Sequence, residues 1–341
     1  MKKSLIALAA LGAFAGSALA QSSVTLYGIV DLGIYKANRA DSTGSLGGGV
    51  VSPTNKELNV AQATRSRLGF RGVEDLGGGL SIKFDIEHRF LPDTGATGST
   101  FWDKSIVGIT SQSFGEVTLG RDYMPAFYPQ YLLDPWLNQG LAELGGGSYA
   151  FAGYVNPTLS VGSARYNNGI FYKMAANGFT VMAAASLSEA EDVDNRYGFN
   201  VMYNAGPLMV AAAYDQAPSP LADETNDVFV LGGAYDFGFV KPRLSYTRSS
   251  INLPVIGEIN PVAIMVSATF PVGTNLIKVG YAQLDADDSF MGSDETKQRK
   301  FSLGYEHVLS KRTALYANLT NGKTKGAETV NAIETGIRHA F

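Results

Sequence analysis

The chain has 341 residues, no cysteine, and 27 basic against 31 acidic side chains, for a formal charge of −4. Mild acidity excludes a general electrostatic attraction to nucleic acid, and the lack of cysteine excludes a disulfide framework. Beyond the first twenty residues no run of eighteen apolar residues occurs, so no helix crosses a membrane.

The N-terminus reads as a leader over residues 1–20. Lys2 and Lys3 precede an apolar run from Leu5 to Phe14, and Ala18-Leu19-Ala20 is a small-residue cleavage site. Gln21 is the expected first residue of an exported chain, whose charge is then about −6. The remaining residues, 21–341, show no linker and no change of composition, which favours one large repetitive architecture.

The first strand pattern is Val24 to Tyr35. Val24, Leu26, Val30, Leu32 and Ile34 fall on one parity, and Thr25, Tyr27, Asp31 and Gly33 on the other. A polar, Gly-rich connection follows over 39–60. Next, Leu68 and Phe70 oppose Arg65, Arg67 and Arg71, and a Gly77-Gly78-Gly79 turn leads into Leu80–Phe90. There Leu80, Ile82, Phe84 and Ile86 oppose Ser81, Lys83, Asp85, Glu87 and Arg89. Five polar side chains in register on one face suit a water-filled lumen better than a soluble sandwich. Lys104–Thr110 resists assignment: Asp103 and Lys104 face opposite ways under strict alternation, and Lys104 is placed outward, snorkelling to the interface.

Between 122 and 162 the alternation stops. Three prolines fall early in this stretch, and aromatics fill it, among them Tyr123, Phe127, Tyr128, Tyr131, Trp136, Tyr149, Phe151 and Tyr154. A loop this long and aromatic is expected to be ordered and packed inside something.

Alternation then resumes to the C-terminus. Tyr197, Phe199, Val201 and Tyr203 oppose Arg196, Gly198, Asn200 and Met202; Phe301, Leu303 and Tyr305 oppose Lys300, Ser302 and Glu306; Ile333, Thr335, Ile337, His339 and Phe341 oppose Glu334, Gly336, Arg338 and Ala340. Short turns such as Asn177-Gly178 and Pro271-Val272-Gly273 alternate with long connections near 91–100, 187–195, 216–226, 249–260, 285–297 and 321–329. The pattern predicts an all-β fold: a transmembrane antiparallel β-barrel of about 16 strands.

Several stretches resemble the general porins of Gram-negative outer membranes, in particular the β-proteobacterial type. They are Val24-Thr-Leu-Tyr-Gly28, Ser66-Arg-Leu-Gly-Phe-Arg-Gly-Val-Glu-Asp-Leu-Gly-Gly-Gly-Leu80, Phe114-Gly-x-Val-Thr-Leu-Gly-Arg121, Arg165-Tyr-Asn-Asn168, Leu309-Ser-Lys-Arg-Thr-Ala-Leu-Tyr316 and Gly336-Ile-Arg-His-Ala-Phe341. The resemblance implies a homotrimer in the outer membrane, with the third outer loop (122–162) folded into the lumen. It also implies that Phe341 belongs to the signal read by the assembly machinery. Two departures leave the sign of ion preference open: Pro125-Ala126-Phe127 lacks the acid common on this loop, and Asp103 stands where a basic residue is frequent.

The site expected from these residues is a pore lining of Arg65, Arg67, Arg71, Arg121, Asp122, Arg165, Asp31 and Asp103, with Tyr123, Phe127 and Tyr128 as loop aromatics. An arginine facing lipid at mid-membrane would cost about 2–4 kcal/mol, which argues for placing them inside. The partners expected are outer-membrane lipid, small hydrophilic solutes and ions; no nucleic acid and no cofactor is expected. Other readings are a substrate-selective channel for an organic anion, a plugged structural or adhesion barrel, and a lipase. For the last, His88 and His339 lie on the outward parity without a named Ser or Asn partner. His88, His307 and His339 have no metal-ligand spacing, and no Gly triplet is followed by Gly-Lys-Ser/Thr. The run Asp285-Ala286-Asp287-Asp288 with Asp294 and Glu295 reads as a solvated outer loop before it reads as a cation site.

Overall fold

A computed structural model describes residues 23–41, 46, 53–145, 164–189, 194–219, 224–253, 257–286 and 296–341. The expected leader lies outside them. The first strands are β1 Ser23–Ala37, β2 Asn59–Ala61, β3 Arg67–Gly77, β4 Leu80–Leu91, β5 Ala96–Ser111 and β6 Gly115–Tyr123. Helix α1 spans Phe127–Leu133, followed by β7 Arg165–Ala176, β8 Phe179–Ser186, β9 Arg196–Ala205, β10 Leu208–Pro218, β11 Thr225–Tyr235 and β12 Lys241–Leu253. The rest are β13 Gly257–Ile259, β14 Val262–Val272, β15 Asn275–Ala286, β16 Thr296–Val308, β17 Thr313–Thr324 and β18 Val330–Ala340.

All pairings are antiparallel between chain neighbours, and the ring closes where Ile29–Ala37 of β1 meet Ala340–Ala332 of β18. On its other edge β1 meets β3 through Ser23–Ile29 and β2 through Gly33–Tyr35. So β2 and β3 share one position in the wall, and β13 only extends β12. The wall is therefore a closed barrel of 16 strands, as the alternation predicts. Among the described residues closure leaves no wall strand with an open edge, the condition for backbone to cross lipid.

Parity decides what each side meets. Val24, Leu26, Val30 and Ile34 of β1, Val107 and Ile109 of β5, and Leu315 and Leu319 of β17 are exposed on the outer surface. The opposite parity carries buried polar groups: Asp31, Asn200, Thr247, Ser302, Asn318 and Glu334. This inverts the soluble rule and matches a protein with an oily coat. Aromatics gather near the short turns, where Phe179 lies 4.5 Å from Tyr203 and Tyr235 lies 4.5 Å from Phe237. The Asn177-Gly178 turn has φ of 52° and 82°, the pair of positive values that a two-residue hairpin of the right twist needs.

The long connections are shorter than expected at three places. β4 and β5 run to Leu91 and from Ala96, β12 continues with β13 as a ribbon, and β17 and β18 are separated only by residues 325–329. Strand pairing continues past the outward apolar band on the long-loop side.

One expectation needs correction. Lys104 does not face lipid: its Nζ lies 3.0 Å from Asp85 and 3.5 Å from Asp122. Asp103 faces the same way, bound by Arg89 and Arg165. The cause is a β-bulge. Glu87 pairs with Lys104 and His88 with Trp102, so Asp103 is an extra residue in β5. A bulge places two consecutive side chains on one face.

At the seam, Phe341 and Gly28 exchange two backbone hydrogen bonds, of 3.1 and 3.2 Å. The Phe341 ring lies so close over Gly28 that a Cβ there would meet it at 2.4 Å.

Candidate functional site

Residues 124–145 are held to the polar face of the wall at many points. Asn200 Nδ2 donates to Pro125 O at 2.7 Å, and Ala126 N donates to Asp215 Oδ2 at 3.2 Å. Gln130 bonds Thr247 and Ser245, Trp136 Nε1 donates to Asn318 Oδ1 at 2.9 Å, and Leu141 N donates to Glu334 at 3.0 Å. These anchors sit on β9, β10, β12, β17 and β18. Wall glycines make room: a Cβ on Gly232 would meet Leu133 Cδ1 at 2.4 Å, and one on Gly280 would meet Leu144 Cδ1 at 2.3 Å.

Asp134 organises the segment internally. Buried just past α1, it accepts from the N–H groups of Trp136 (2.9 Å), Asn138 (3.1 Å), Leu144 (2.9 Å) and Gly145 (3.1 Å). Burial pushes its carboxyl up, and these four donors pull it back. They also hold Leu137 and Asn138 at φ of 55° and 53°, a left-handed conformation unusual for leucine. Glu143 is buried too, and neither of its carboxylate oxygens has a hydrogen-bond partner among the described residues. Burial raises it to about 7, against the pull of Lys300 and Arg65.

The wall opposite these anchors is charged. Asp103 Oδ2 lies 2.5 Å from both Arg89 Nε and Arg165 Nη2. Arg89 Nη2 donates to Tyr123 OH at 2.5 Å, and the Arg165 guanidinium lies 3.9 Å from the centre of the Tyr123 ring. Tyr123 in turn stacks on Phe127 at 3.7 Å, with Tyr131 at 5.7 Å from Phe127 and Tyr128 edge-on. Cation–π stacking fixes the guanidinium plane while leaving its charge in place.

The expected residues divide into three groups. Arg65, Arg165, Asp103, Tyr123 and Phe127 come together with Arg89 around a cavity of about 280 Å³. Arg67, 3.6 Å from Glu87, borders a second cavity of about 410 Å³ with Tyr131, Arg243, Lys278, Glu306 and Arg338. Arg71 lies 5.1 Å from the Tyr27 ring, whose hydroxyl donates to Asp85 at 2.6 Å, and Asp122 faces Lys104.

The others sit elsewhere. Arg121 shares the parity of outward Leu119 and donates to Asn167 Oδ1. Asp31 is fully enclosed; it accepts from Ala63 N at 2.9 Å and Tyr316 OH at 2.7 Å, and closes the break between β2 and β3.

Sequence reasoning did not single out Arg89, Arg243, Lys278 or Arg338, although Arg89 and Arg338 already fall on the polar parity. Asp285 of the acidic run pairs with Lys297 at 3.1 Å, and residues 287–295 of that run lie outside the described residues, as do Tyr149, Phe151 and Tyr154.

A family model described as "Gram-negative porin" matches residues 7–327. The chain belongs to the Gram-negative porin family. It is similar to outer membrane porin protein 32 of Delftia acidovorans, 34% identical over the full length of both chains. It is likewise similar to an outer membrane porin protein of Bordetella pertussis, 32% identical over the full length of both. Among solved structures it resembles an anion-selective porin from Comamonas acidovorans, with a TM-score of 0.80 and 30% identity over 94% of this chain and 100% of that one. The protein is thus a porin of the Gram-negative outer membrane, a passive channel for small hydrophilic solutes and ions. Members of this family are channels rather than enzymes.

Proposed function

We propose that residues 122–145, the described part of the expected 122–162 loop, narrow the lumen of this porin, and that the openings left beside them favour anions. The observation that carries this is the charge lining the two cavities. Around the first stand three arginines, Arg65, Arg89 and Arg165, and one carboxylate, Asp103. Around the second stand Arg67, Arg243, Lys278 and Arg338 with one carboxylate, Glu306. Both cavities also touch the 123–139 segment, through Tyr123 and Phe127 in one and Trp136 and Gln139 in the other. Fixed charge beside low-dielectric walls concentrates counter-ions and sets selectivity.

Two further features fit the reading. Most side-chain anchors of 124–145 lie on β9–β18, and on the arginine side Arg65 holds the segment by Nη1 to Asn138 O at 3.0 Å and by its N–H to Gln139 Oε1 at 2.9 Å. The guanidinium of Arg165 borders the first cavity with its plane fixed on the Tyr123 ring, and a guanidinium so oriented suits a passing carboxylate or phosphate. The aromatics Tyr123, Phe127 and Tyr128 act as a support for that arginine, not as a slide for solute. The likeness to porins, one of them solved in a trimer form, supports a homotrimer.

The test is the reversal potential in a planar bilayer under a salt gradient, wild type against Arg67→Glu and Arg165→Glu. Each reversal is expected to lower the anion-to-cation permeability ratio several-fold while the channel stays open. An unchanged ratio in both variants overturns the assignment.

A further inference from the structure

Near the short turns the inward face of the wall carries apolar side chains beside its charges. Ile29 of β1 is paired with Arg67, and Leu276 of β15 with Glu306, so both stand on the inward parity. Both border the second cavity, of about 410 Å³. Across it the docked segment contributes Tyr131, Pro135 and Leu137. Leu137 is 40% exposed. It is also the residue held at φ of 55°, in the turn that Asp134 organises. A left-handed leucine is uncommon, and strained backbone persists only where its surroundings fix it. The chain thus keeps a leucine at the edge of a polar opening against both sterics and solvation.

The cations of this cavity are unevenly matched. Glu306 takes Lys278 at 2.9 Å and Arg338 at 2.6 Å, and Arg67 lies 3.6 Å from Glu87. Arg243 has no ion-pair partner among the described residues. Its Nη1 donates to Thr269 Oγ1 at 2.8 Å and to Lys241 O at 3.3 Å, and its buried Nε has no acceptor. A guanidinium is a fork of donors shaped for a carboxylate, and this one is partly unengaged. An unmatched arginine and an oily surface therefore share one water-side cavity.

We infer that this cavity is a transit site for an organic anion with one carboxylate and an apolar, ring-sized body. The carboxylate meets Arg243. The body lies between Tyr131, Pro135 and Leu137 on the segment and Ile29 and Leu276 on the wall. The cavity volume falls within the roughly 300–1,000 Å³ of small-molecule sites, which are largely apolar with a few placed polar groups. This inference rests on the reading that the openings favour anions, and it adds what an inorganic ion has no use for, an apolar surface beside the charge. Such a site must hold its solute weakly enough to release it.

The test is the block of chloride current by phenylacetate in a planar bilayer, with acetate as the control. Wild type is expected to be blocked by phenylacetate at about tenfold lower concentration than by acetate. L137N, whose new side chain suits a left-handed backbone, and L276S leave the charge unchanged. Each is expected to narrow that gap about threefold. R243Q is expected to weaken phenylacetate block about tenfold. The recorded channels themselves show that each variant is folded. Equal block by the two acids in wild type overturns the site, as does an unchanged gap in both L137N and L276S. A preference for chloride over potassium in those same recordings would leave the selectivity reading standing. A cation-preferring wild type whose phenylacetate block still falls in L137N and L276S keeps the site and overturns that reading instead.

Discussion

Two halves of the polar face behave differently. On β9–β18 residues 124–145 dock mostly on amides, hydroxyls and small residues, while Arg243, Lys278, Glu306 and Arg338 of the same strands stand beside the second cavity. From β3 to β7 the wall offers arginines, lysines and carboxylates, which pair with one another and border the first cavity. The first half acts as a scaffold: Asn200, Thr247, Asn318 and Gly280 hold the segment in place. In the proposed function the second half is the one that acts on solute. Charge retained next to open water can steer ions, whereas the same charge under a packed segment would need a full set of partners. Where the segment docks is therefore set by where the wall carries small and amide side chains, and on β12 and β18 an anchor and a cavity-lining charge share one strand.

The sharpest way to break that division is Asp134→Ala. It leaves four buried N–H groups without an acceptor and removes what holds Leu137 and Asn138 in their left-handed turn. A loss on the order of 3–5 kcal/mol is expected, from the size of charge-assisted hydrogen bonds and of orphaned donors. Thermal unfolding in detergent checks it, and single-channel recordings should show larger, noisier conductance.

Gly280→Val attacks the scaffold from the wall side. The new Cβ meets Leu144 Cδ1, and an overpacking penalty of about 1–3 kcal/mol is expected. Conductance should change while the permeability ratio stays near wild type, because the arginine side is untouched. A shifted ratio would mean that the two halves are not separable.

Glu143→Gln is the mildest change, and its effect depends on pH. The folded chain keeps this carboxyl protonated up to about 7, above its ordinary 4.5, with Lys300, Arg65, Asp134 and Glu334 around it. Its contribution to stability is full below 4.5 and is lost as pH rises through 7. Glutamine keeps the neutral form at every pH. The melting difference between variant and wild type should be smallest near about pH 4 and should favour the variant increasingly towards about pH 8.

The barrel was legible because a two-residue period leaves a mark in every strand: Leu80–Arg89 alone displays both faces. Its failure at Asp103 and Lys104 came from a single inserted residue, which alters no composition and is placed only when β4 is laid beside β5. The site was legible by half. Arginine is expensive against lipid, so Arg65, Arg67 and Arg165 could be placed by parity and penalty. Which arginines share a cavity depends on where 124–145 docks, and that rests on contacts far apart in sequence, such as Trp136 with Asn318. Asp134 looks like any loop acid until its four donors are seen. Asp31, on the polar parity, reads as wetted, yet the break between β2 and β3 folds over it.

The two hydrogen bonds that Phe341 makes with Gly28 join the last residue of the chain to its first strand. A ring fastened at its own final link cannot be finished early. Bringing together partners so distant in sequence carries the largest loop-closure entropy in the molecule. Without Phe341 the seam would lose these two bonds and the ring over Gly28 at its short-turn end, while the pairing of Ile29–Ala37 with Ala340–Ala332 would still hold the hoop shut.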